Sequence, residues 1–277
     1  MRNTFWLFLF MGCGPRGVVD GTLDKDGDAD TDADSDADAD SDADTDTGFV
    51  GGDCEGGPTP GPWDDHPITA DGAPVTTAAY TNDGGVDDVL AAAAGNIDPV
   101  VVSLPVTEVT VTAIGYVPDP APENILQFWF EDASGAAVAW YVDVGMDPHL
   151  VRVGDKVSFT ATEVLEYYGT VEVTAATGFT IVSSGNPVRV IDGNGTPLSF
   201  ATDGNSLAEV WGELVSAPEA CGNSSCFDLQ YGSNTLLFRT ASTFDVQGDC
   251  IHWIGPIGEF DGEIQLNAYN FDWYTYF

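Results

Sequence analysis

The feature that most restricts the fold is an internal duplication of alternating, hairpin-forming sequence. One copy, GDKVSFTATEVLEYYGTVEVTAATGFTIV, begins at Gly154, and the other, GDCIHWIGPIGEFDGEIQLNAYNFDWYTY, begins at Gly248. The opening Gly-Asp pairs lie 94 residues apart, and the turns inside EYYGTVEV and EFDGEIQL lie 93 apart. Apolar residues alternate with polar ones around each turn, which is the two-residue period of a β-strand. The duplication therefore predicts two similar β-rich halves.

The sequence upstream of each copy predicts a further strand and a further hairpin. EVTVTAIGYV is similar to AEVWGELVSA, and hairpins follow around Ser134-Gly135 and around Gly232-Ser233. Each half then has about five short strands in roughly 75–80 residues, and closing so small a sheet into a barrel removes its exposed edges. We predict an all-β protein with two small five-stranded barrels in tandem. A pair of small β-sandwiches is the alternative.

One segment ahead of the first strand departs from this alternation. GVDDVLAAAAGN predicts a short helix, with Asp87 or Asp88 in its first turn and Gly95 just beyond its end. The prediction divides the chain into an N-terminal signal with its lipidation cysteine over 1–13, a disordered linker over 14–66, a first barrel domain with the short helix over 67–197, and a second barrel domain over 198–277.

The order of these motifs resembles the OB-fold. TVTAIGYV, FWFED and VRVGDKVSFTATEVLEYYGTVEVT follow one another as in the OB-fold modules attached to secreted bacterial nucleases. In those modules Gly-Asp-x-Val opens the fourth strand and a Tyr/Phe-x-Gly turn leads to the fifth. The resemblance covers residues 85–185 and, more loosely, 205–277. It implies OB-like barrels with a ligand surface on the second and third strands, where OB-folds bind oligonucleotides and oligosaccharides.

Alternation along the second and third strands of the first half selects candidate ligand-face residues. In NILQFWFED it directs Leu126, Phe128 and Phe130 inward, and in AAVAWYVD it directs Val138, Trp140 and Val142 inward. The outward residues are the ligand-face candidates Gln127, Trp129 and Tyr141. Trp129 and Tyr141 would form a stacking platform for a ligand. The alternative is that these aromatic residues cover a neighbouring domain.

An aspartate run precedes the folded part. Every even position from Asp24 to Asp46 is aspartate, twelve in all, separated mostly by Ala, Ser or Thr. Such a segment has no apolar face to bury, and its like charges favour an extended stalk. DKDGDADTD also resembles the calcium loops of thrombospondin type 3 and dockerin repeats, which implies Ca²⁺ as a cofactor. The calcium candidates are Asp24, Asp26, Asp28, Asp30 and Asp32.

The amino terminus predicts export. MRNTFWLFLFMGCG has one positive charge followed by a short apolar stretch, as in a secretory signal. Its final Gly-Cys resembles the lipobox of bacterial lipoproteins, in which the cysteine carries the lipid. The resemblance implies a lipid anchor at Cys13 and a location in the cell envelope, as an outer-membrane lipoprotein or at the cell surface.

Four cysteines remain once Cys13 is assigned to the anchor. An even number suits disulfide bonds in an oxidising compartment. Cys221 and Cys226 could close a small loop, which would leave Cys54 to pair with Cys250, although the sequence also allows two other pairings.

Charge and motifs limit the function. From Phe49 onward the chain has 32 acidic and 4 basic residues, Arg152, Lys156, Arg189 and Arg239, so its surface should repel nucleic acid. The histidines His66, His149 and His252 lack ligands at metal spacing, and no nucleophile elbow or P-loop is present. We therefore expect a non-enzymatic envelope lipoprotein that presents two OB-like modules to a protein or glycan. The alternatives are an extracellular protein that binds single-stranded nucleic acid and a calcium-dependent adhesin.

Overall fold

A computed structural model describes residues 54 and 57 and the ranges 73–116, 125–140, 151–222, 224–260, 263–268 and 273–277. Several predicted features lie outside these residues: the anchor Cys13, the calcium candidates from Asp24 to Asp32, the platform residue Tyr141, and both His66 and His149. Residues 52–277 form one compact unit.

The first half folds into a closed five-stranded barrel. Its elements are β1 (Val75–Thr76), α1 (Val86–Ala93), β2 (Val100–Tyr116), β3 (Ile125–Asp132), β4 (Gly135–Trp140), β5 (Lys156–Tyr167) and β6 (Thr170–Ser183). The barrel order is β2-β3-β4-β6-β5, and β5 pairs back onto β2. β4 and β6 are parallel, whereas the other barrel pairs are antiparallel. This is the connectivity of an OB-fold.

The second half repeats this barrel and adds strands to it. Its elements are β7 (Val188–Arg189), β8 (Ile191–Asp192), α2 (Phe200–Asp203), β9 (Leu207–Leu214), β10 (Glu219–Cys221), β11 (Ser224–Tyr231), β12 (Asn234–Thr240), β13 (Cys250–Phe260), β14 (Glu263–Ala268) and β15 (Tyr274–Tyr276). β9, β11, β12, β14 and β13 close the barrel, with β12 parallel to β14. The predicted pair of five-stranded barrels is therefore confirmed, and the sandwich alternative is wrong.

The repeated Gly-Asp pair opens the fourth barrel strand by the same hydrogen bonds in both halves. In the first barrel the Gly154 N–H donates to the Val111 carbonyl at 2.9 Å, and the Val111 N–H donates to the Asp155 carbonyl at 2.8 Å. The Asp155 carboxylate accepts a bond from the Arg152 N–H at 2.9 Å, which closes the turn. Gly154 has φ +84°, a left-handed conformation that favours glycine.

The second barrel reproduces each of these bonds. The Gly248 N–H donates to the Leu214 carbonyl at 2.8 Å, and the Leu214 N–H donates to the Asp249 carbonyl at 2.9 Å. The Asp249 carboxylate accepts from the Val246 N–H at 2.8 Å, and Gly248 has φ +98°. The duplication read from the sequence is therefore a duplication of hydrogen-bonding geometry.

The helix and the hairpin after the fourth strand also agree with the sequence. α1 has Asp87 and Asp88 in its first turn, and Gly95 just past its C-terminal end has φ +72°. In the β5–β6 hairpin, Tyr168 and Gly169 both have positive φ, as a two-residue type I′ turn requires.

The β3–β4 hairpin differs from its prediction by one residue. Its turn consists of Ala133 and Ser134, one residue earlier than predicted. Moving a two-residue turn by one position changes each cross-strand partner by two residues, which leaves every side chain on the same face. Val138 was predicted to point into the barrel, but it is paired with Trp129 and shares its outer face, so the inward set predicted for β4 is wrong.

The aromatic core of the first barrel is as predicted for β3. Phe128 and Phe130 are fully buried. Both rings meet the Phe159 ring edge-on, with centroid distances of 6.5 and 5.4 Å.

Both predicted disulfides are present. Cys221 is bonded to Cys226, and Cys54 is bonded to Cys250 at the start of β13. Cys54 and Gly57 lie in the segment predicted to be a disordered linker, yet Cys54 is buried and Gly57 lies against the Trp211 side chain. Cys54 and Gly57 are thus held against the second barrel.

Candidate ligand face

The outer face of β3 and β4 is the predicted ligand surface, and it is buried. The Trp129 side chain is only 6% exposed, and its ring meets the Trp273 ring of the second half edge-on, with centroids 5.3 Å apart. Its cross-strand partner Val138 is also buried. Gln127, another of the three ligand-face candidates, is half-buried on the same face. The prediction that Trp129 offers an open stacking platform is wrong, because the second barrel covers it.

A polar network closes the same face beside Trp129. Glu131 is 1% exposed, and its Oε1 accepts bonds from Arg189 Nη1 at 2.6 Å and from Ser206 Oγ at 3.2 Å. Burial raises the pKa of Glu131 to about 7, although Arg189 and Ser206 oppose the rise. Tyr80 joins the network by accepting a bond from the Arg189 N–H at 2.9 Å, and burial also raises its pKa.

The next residue, Asp132, is used to hold the start of α1. Its Oδ2 accepts bonds from the N–H groups of Gly84 and Val86 at 2.6 and 3.2 Å. Its Oδ1 accepts from the Ser134 hydroxyl at 2.6 Å. Both oxygens of the buried Asp132 carboxylate therefore accept hydrogen bonds, from the start of α1 and from the β3–β4 turn.

A third contact between the halves involves the β5–β6 turn. A Cβ atom placed on Gly169 would lie 2.7 Å from Glu259 Oε2 and 3.2 Å from the Phe200 ring, so the turn packs closely against the second barrel. Together with Trp129 and Glu131, this contact covers much of the first barrel's outer surface among the residues that the structure describes.

The equivalent sheet of the second barrel is more exposed. Its outward residues other than the buried Cys226 form what we call the β11–β12 face: Asp228, Gln230, Thr235, Leu237 and Arg239. Thr235 is exposed, and the other four are partly exposed. Asp228 pairs with Leu237, as Trp129 pairs with Val138 in the first barrel. The face offers a carboxylate, an amide, a hydroxyl and a guanidinium around one leucine. These are groups that can hydrogen-bond a polar ligand or a protein surface.

Alternation alone could have found the β11–β12 face, since CFDLQYGSNTLLFRT has the same pattern as its counterpart. Sequence reasoning selected the first barrel because its outward positions hold aromatic residues. Of these aromatic residues, Trp129 is buried against the second half.

Basic residues do not assemble into a groove among the described residues. Arg189 is paired with Glu131, and Arg239 donates from Nη2 to the Cys221 carbonyl at 3.3 Å. Arg152 is on the loop before β5, and Lys156 is the first residue of β5. Single-stranded nucleic acid requires a cationic groove along its backbone, and this arrangement does not provide one.

The part of the chain that the structure describes contains no group of three or more His, Cys, Asp or Glu residues arranged to hold a metal ion. His252 is buried on the outer side of β13, with its Nε2 2.7 Å from Glu209 Oε1. None of the helices described is both long enough and apolar enough to cross a bilayer.

Comparison with known proteins gives only distant structural similarity. The sequence matches no protein-family model and no curated protein. Among solved structures, the tetrameric p202 HIN2 domain has a TM-score of 0.36 and 9% identity, with 67% of this chain and 97% of that chain covered. p202 HIN1 in complex with 12-mer dsDNA has a TM-score of 0.34 and 12% identity, covering 62% and 93%. The Ifi202 HINa domain in complex with 20 bp dsDNA has a TM-score of 0.33 and 11% identity, covering 65% and 98%.

Proposed function

We propose that the protein is a non-enzymatic, cell-envelope lipoprotein whose second barrel binds a neutral glycan or a protein through the β11–β12 face. The observation that carries this proposal is the open polar sheet of the second barrel, at the position where OB-folds bind their ligands. The first barrel, with its own sheet covered, has a supporting role in this proposal.

Charge selects the class of ligand. The 32 acidic residues from Phe49 onward outnumber the basic ones eightfold, so a polyanionic ligand would be repelled over most of the surface. A neutral glycan needs only hydrogen-bonding groups and an apolar contact, which Gln230, Thr235 and Leu237 supply. A protein with basic residues would be attracted by the negative charge of this surface.

The amino-terminal sequence supports the location. A lipid at Cys13 followed by the aspartate run would tether the barrels outside the cytoplasm, where the two disulfides are stable. The repulsion among twelve aspartates would keep the stalk extended, to about 80 Å at roughly 3.3 Å per residue over its 25 residues. Palmitate labelling of the wild type and of Cys13→Ala tests the anchor. Label that persists in Cys13→Ala would contradict it.

Binding is tested with a glycan array that contains neutral and acidic oligosaccharides. We expect retention of one or more neutral glycans by the wild type and at least a tenfold loss in the double variant Gln230→Ala/Thr235→Ala. The matched control is Thr177→Ala, on β6 of the first barrel. If Gln230→Ala/Thr235→Ala retained glycans as well as Thr177→Ala does, the β11–β12 face would not be the binding surface.

The second candidate is nucleic-acid binding, because the same face of an OB-fold also takes oligonucleotides and Arg239 lies on it here. Two of the structurally similar HIN domains are in complex with double-stranded DNA. Titration with oligo-dT and with a 20 bp duplex in ~20 mM salt separates the candidates, because phosphate contacts weaken as salt rises. Salt-dependent binding that Arg239→Gln abolishes would favour this candidate over the first.

Calcium-dependent adhesion depends on the aspartate run rather than on the barrels. Calorimetric titration of the full chain with Ca²⁺, beside a variant with Asp24, Asp26, Asp28, Asp30 and Asp32 changed to Asn, tests it. Saturable heat in the wild type alone supports ordered calcium loops, whereas no heat at millimolar Ca²⁺ removes the adhesin candidate.

A further inference from the structure

The loop over residues 241–249, between β12 and β13, presents apolar side chains to solvent at one end of the second barrel. Phe244 is 82% exposed and Val246 is 55% exposed. The residue between them, Asp245, is bonded to the hydroxyl of Tyr276, another exposed side chain. Phe277, the next residue, is exposed as well and donates from its N–H to the Cys250 carbonyl at 3.3 Å. The Phe277 ring lies against Trp211 instead. We call Phe244, Val246 and Tyr276 the apolar knob.

A buried carboxylate fixes the centre of this loop. Asp245 is only 5% exposed, and both of its oxygens lie 3.2 Å from the Tyr274 hydroxyl, in addition to the bond from Tyr276. Burying a carboxylate is costly unless hydrogen bonds compensate for the lost water. The two tyrosine hydroxyls provide that compensation.

Further hydrogen bonds hold both sides of the loop. The Phe244 N–H donates to the Ser242 hydroxyl at 3.0 Å. The Gln247 side-chain amide donates to the Val215 carbonyl at 2.8 Å. The Gly248-Asp249 turn forms the end of the loop next to β13. Hydrogen bonds therefore hold the loop on both sides of its exposed residues. A fixed loop loses little conformational entropy when a partner binds, which favours Phe244 as an anchor residue.

The surrounding charge determines what the knob can accept. Two partly buried carboxylates lie at this end of the barrel: Glu213, the cross-strand partner of Cys250, and Asp249. No Lys or Arg follows Arg239 in the sequence. A second copy of the chain and an anionic lipid surface would both be repelled. We propose that the apolar knob is a docking surface for a protein segment in which apolar side chains are flanked by Lys or Arg.

The proposal is tested with an array of 12-residue peptides that have a Leu/Phe centre flanked by Lys and Arg, beside charge-reversed peptides flanked by Asp and Glu. The full chain should bind members of the basic set and none of the charge-reversed set. Phe244→Ser/Val246→Ser should weaken binding at least tenfold. The matched control is Val101→Ser, because Val101 on β2 of the first barrel is also 82% exposed; it should bind like the wild type.

Several outcomes would overturn the proposal. One is equal binding by Phe244→Ser/Val246→Ser, and another is equal binding of the charge-reversed peptides. Concentration-dependent dimerisation that the double variant loses, measured by sedimentation, would assign the knob to a second copy instead. Binding to phosphatidylcholine vesicles that the double variant loses would assign it to lipid. The knob shares no residue with the β11–β12 face, so Gln230→Ala/Thr235→Ala should leave peptide binding unchanged whichever way the glycan experiment ends.

Discussion

The outer sheets of the two barrels differ in exposure although their backbones are equivalent. Trp129 and Val138 form a buried cross-strand pair in the first barrel, and Asp228 and Leu237 form the corresponding pair, half-exposed, in the second. Trp129 of the first pair packs against Trp273 of the second half, whereas both residues of the second pair are partly exposed. One duplicated fold therefore provides an interface in one copy and a candidate binding surface in the other.

This difference shows how an OB-like barrel can lose its usual ligand surface without losing its fold. The inward residues of β3 and β11 are apolar in both copies, so each barrel closes around its own core. Only the outward residues diverge, to Trp and Glu in the first and to Asp and Gln in the second. The outward residues thus decide whether a barrel docks onto its neighbour or stays open.

The largest difference in stability between the two faces is expected for Trp129→Ala. Removing a buried indole from the interface should lower the free energy of unfolding by about 3–5 kcal/mol. The equivalent change on the open face, Leu237→Ala, should cost less than about 1 kcal/mol because that side chain is only half-buried. Urea unfolding of both variants measures the difference, and similar losses would mean that the two faces are not energetically distinct.

The second test uses the pH dependence of Glu131. Its folded pKa of about 7 lies above the ordinary 4.5, so the folded protein holds this proton more tightly than the unfolded chain does. The resulting stabilisation is fully present below pH 4.5 and is lost as the pH rises through about 7. Glu131→Gln cannot ionise and does not lose this stabilisation. Its free energy of unfolding, relative to that of the wild type, should therefore rise by on the order of 3 kcal/mol between those two pH values.

Denaturant unfolding of the wild type and Glu131→Gln across this pH range measures that gain. Gln230→Glu is the matched control, because it places a carboxylate at the corresponding position of the open face. Its stability relative to the wild type should change little with pH. A pH-independent difference for Glu131→Gln would contradict the assignment of a raised pKa to the interface.

A smaller effect is expected at the two hairpin turns. Gly169 and Gly232 both have positive φ, so alanine is strained at either position, by about 1 kcal/mol. Only at Gly169 would the added Cβ also meet Glu259 and Phe200 of the other half. Gly169→Ala should therefore lose about 1–2 kcal/mol more than Gly232→Ala in thermal or urea unfolding. Equal losses would show that the turn does not pack tightly on the second barrel.

The smallest effect is predicted for Asp228→Asn on the β11–β12 face. This half-exposed side chain makes little contribution to packing, so the free energy of unfolding should change by less than about 0.5 kcal/mol. Glycan or protein binding to the face should nevertheless change, since the substitution removes a charge at its centre. A large loss of stability would indicate that the face is covered in solution.

Much of this architecture was predictable from local sequence. The alternation, the hairpin turns and the short helix at Val86–Ala93 each depend on contacts among near neighbours or on one hairpin. The Gly-Asp pairs were recognisable because they recur at the same place in both halves, although their partners Val111 and Leu214 are distant in sequence. The β3–β4 register was not predictable to the residue, because Ala133-Ser134 and Ser134-Gly135 are both acceptable turns. Val138 was assigned to the wrong face for a different reason: both alternating sets of β4 are apolar, so hydrophobicity did not distinguish its two faces.

The sequence by itself determined two β-barrels, their strand order and the acidic charge of the whole chain, because periodicity, turn residues and titratable groups are local properties. Only the tertiary structure decided which barrel keeps an open sheet, since the covering residues Trp273, Arg189 and Ser206 come from distant segments of the chain. An aromatic residue that alternates outward has the same local pattern whether it meets solvent, a ligand or another domain. A side chain is buried only when another surface covers it, and that surface forms only when distant segments of the chain have folded.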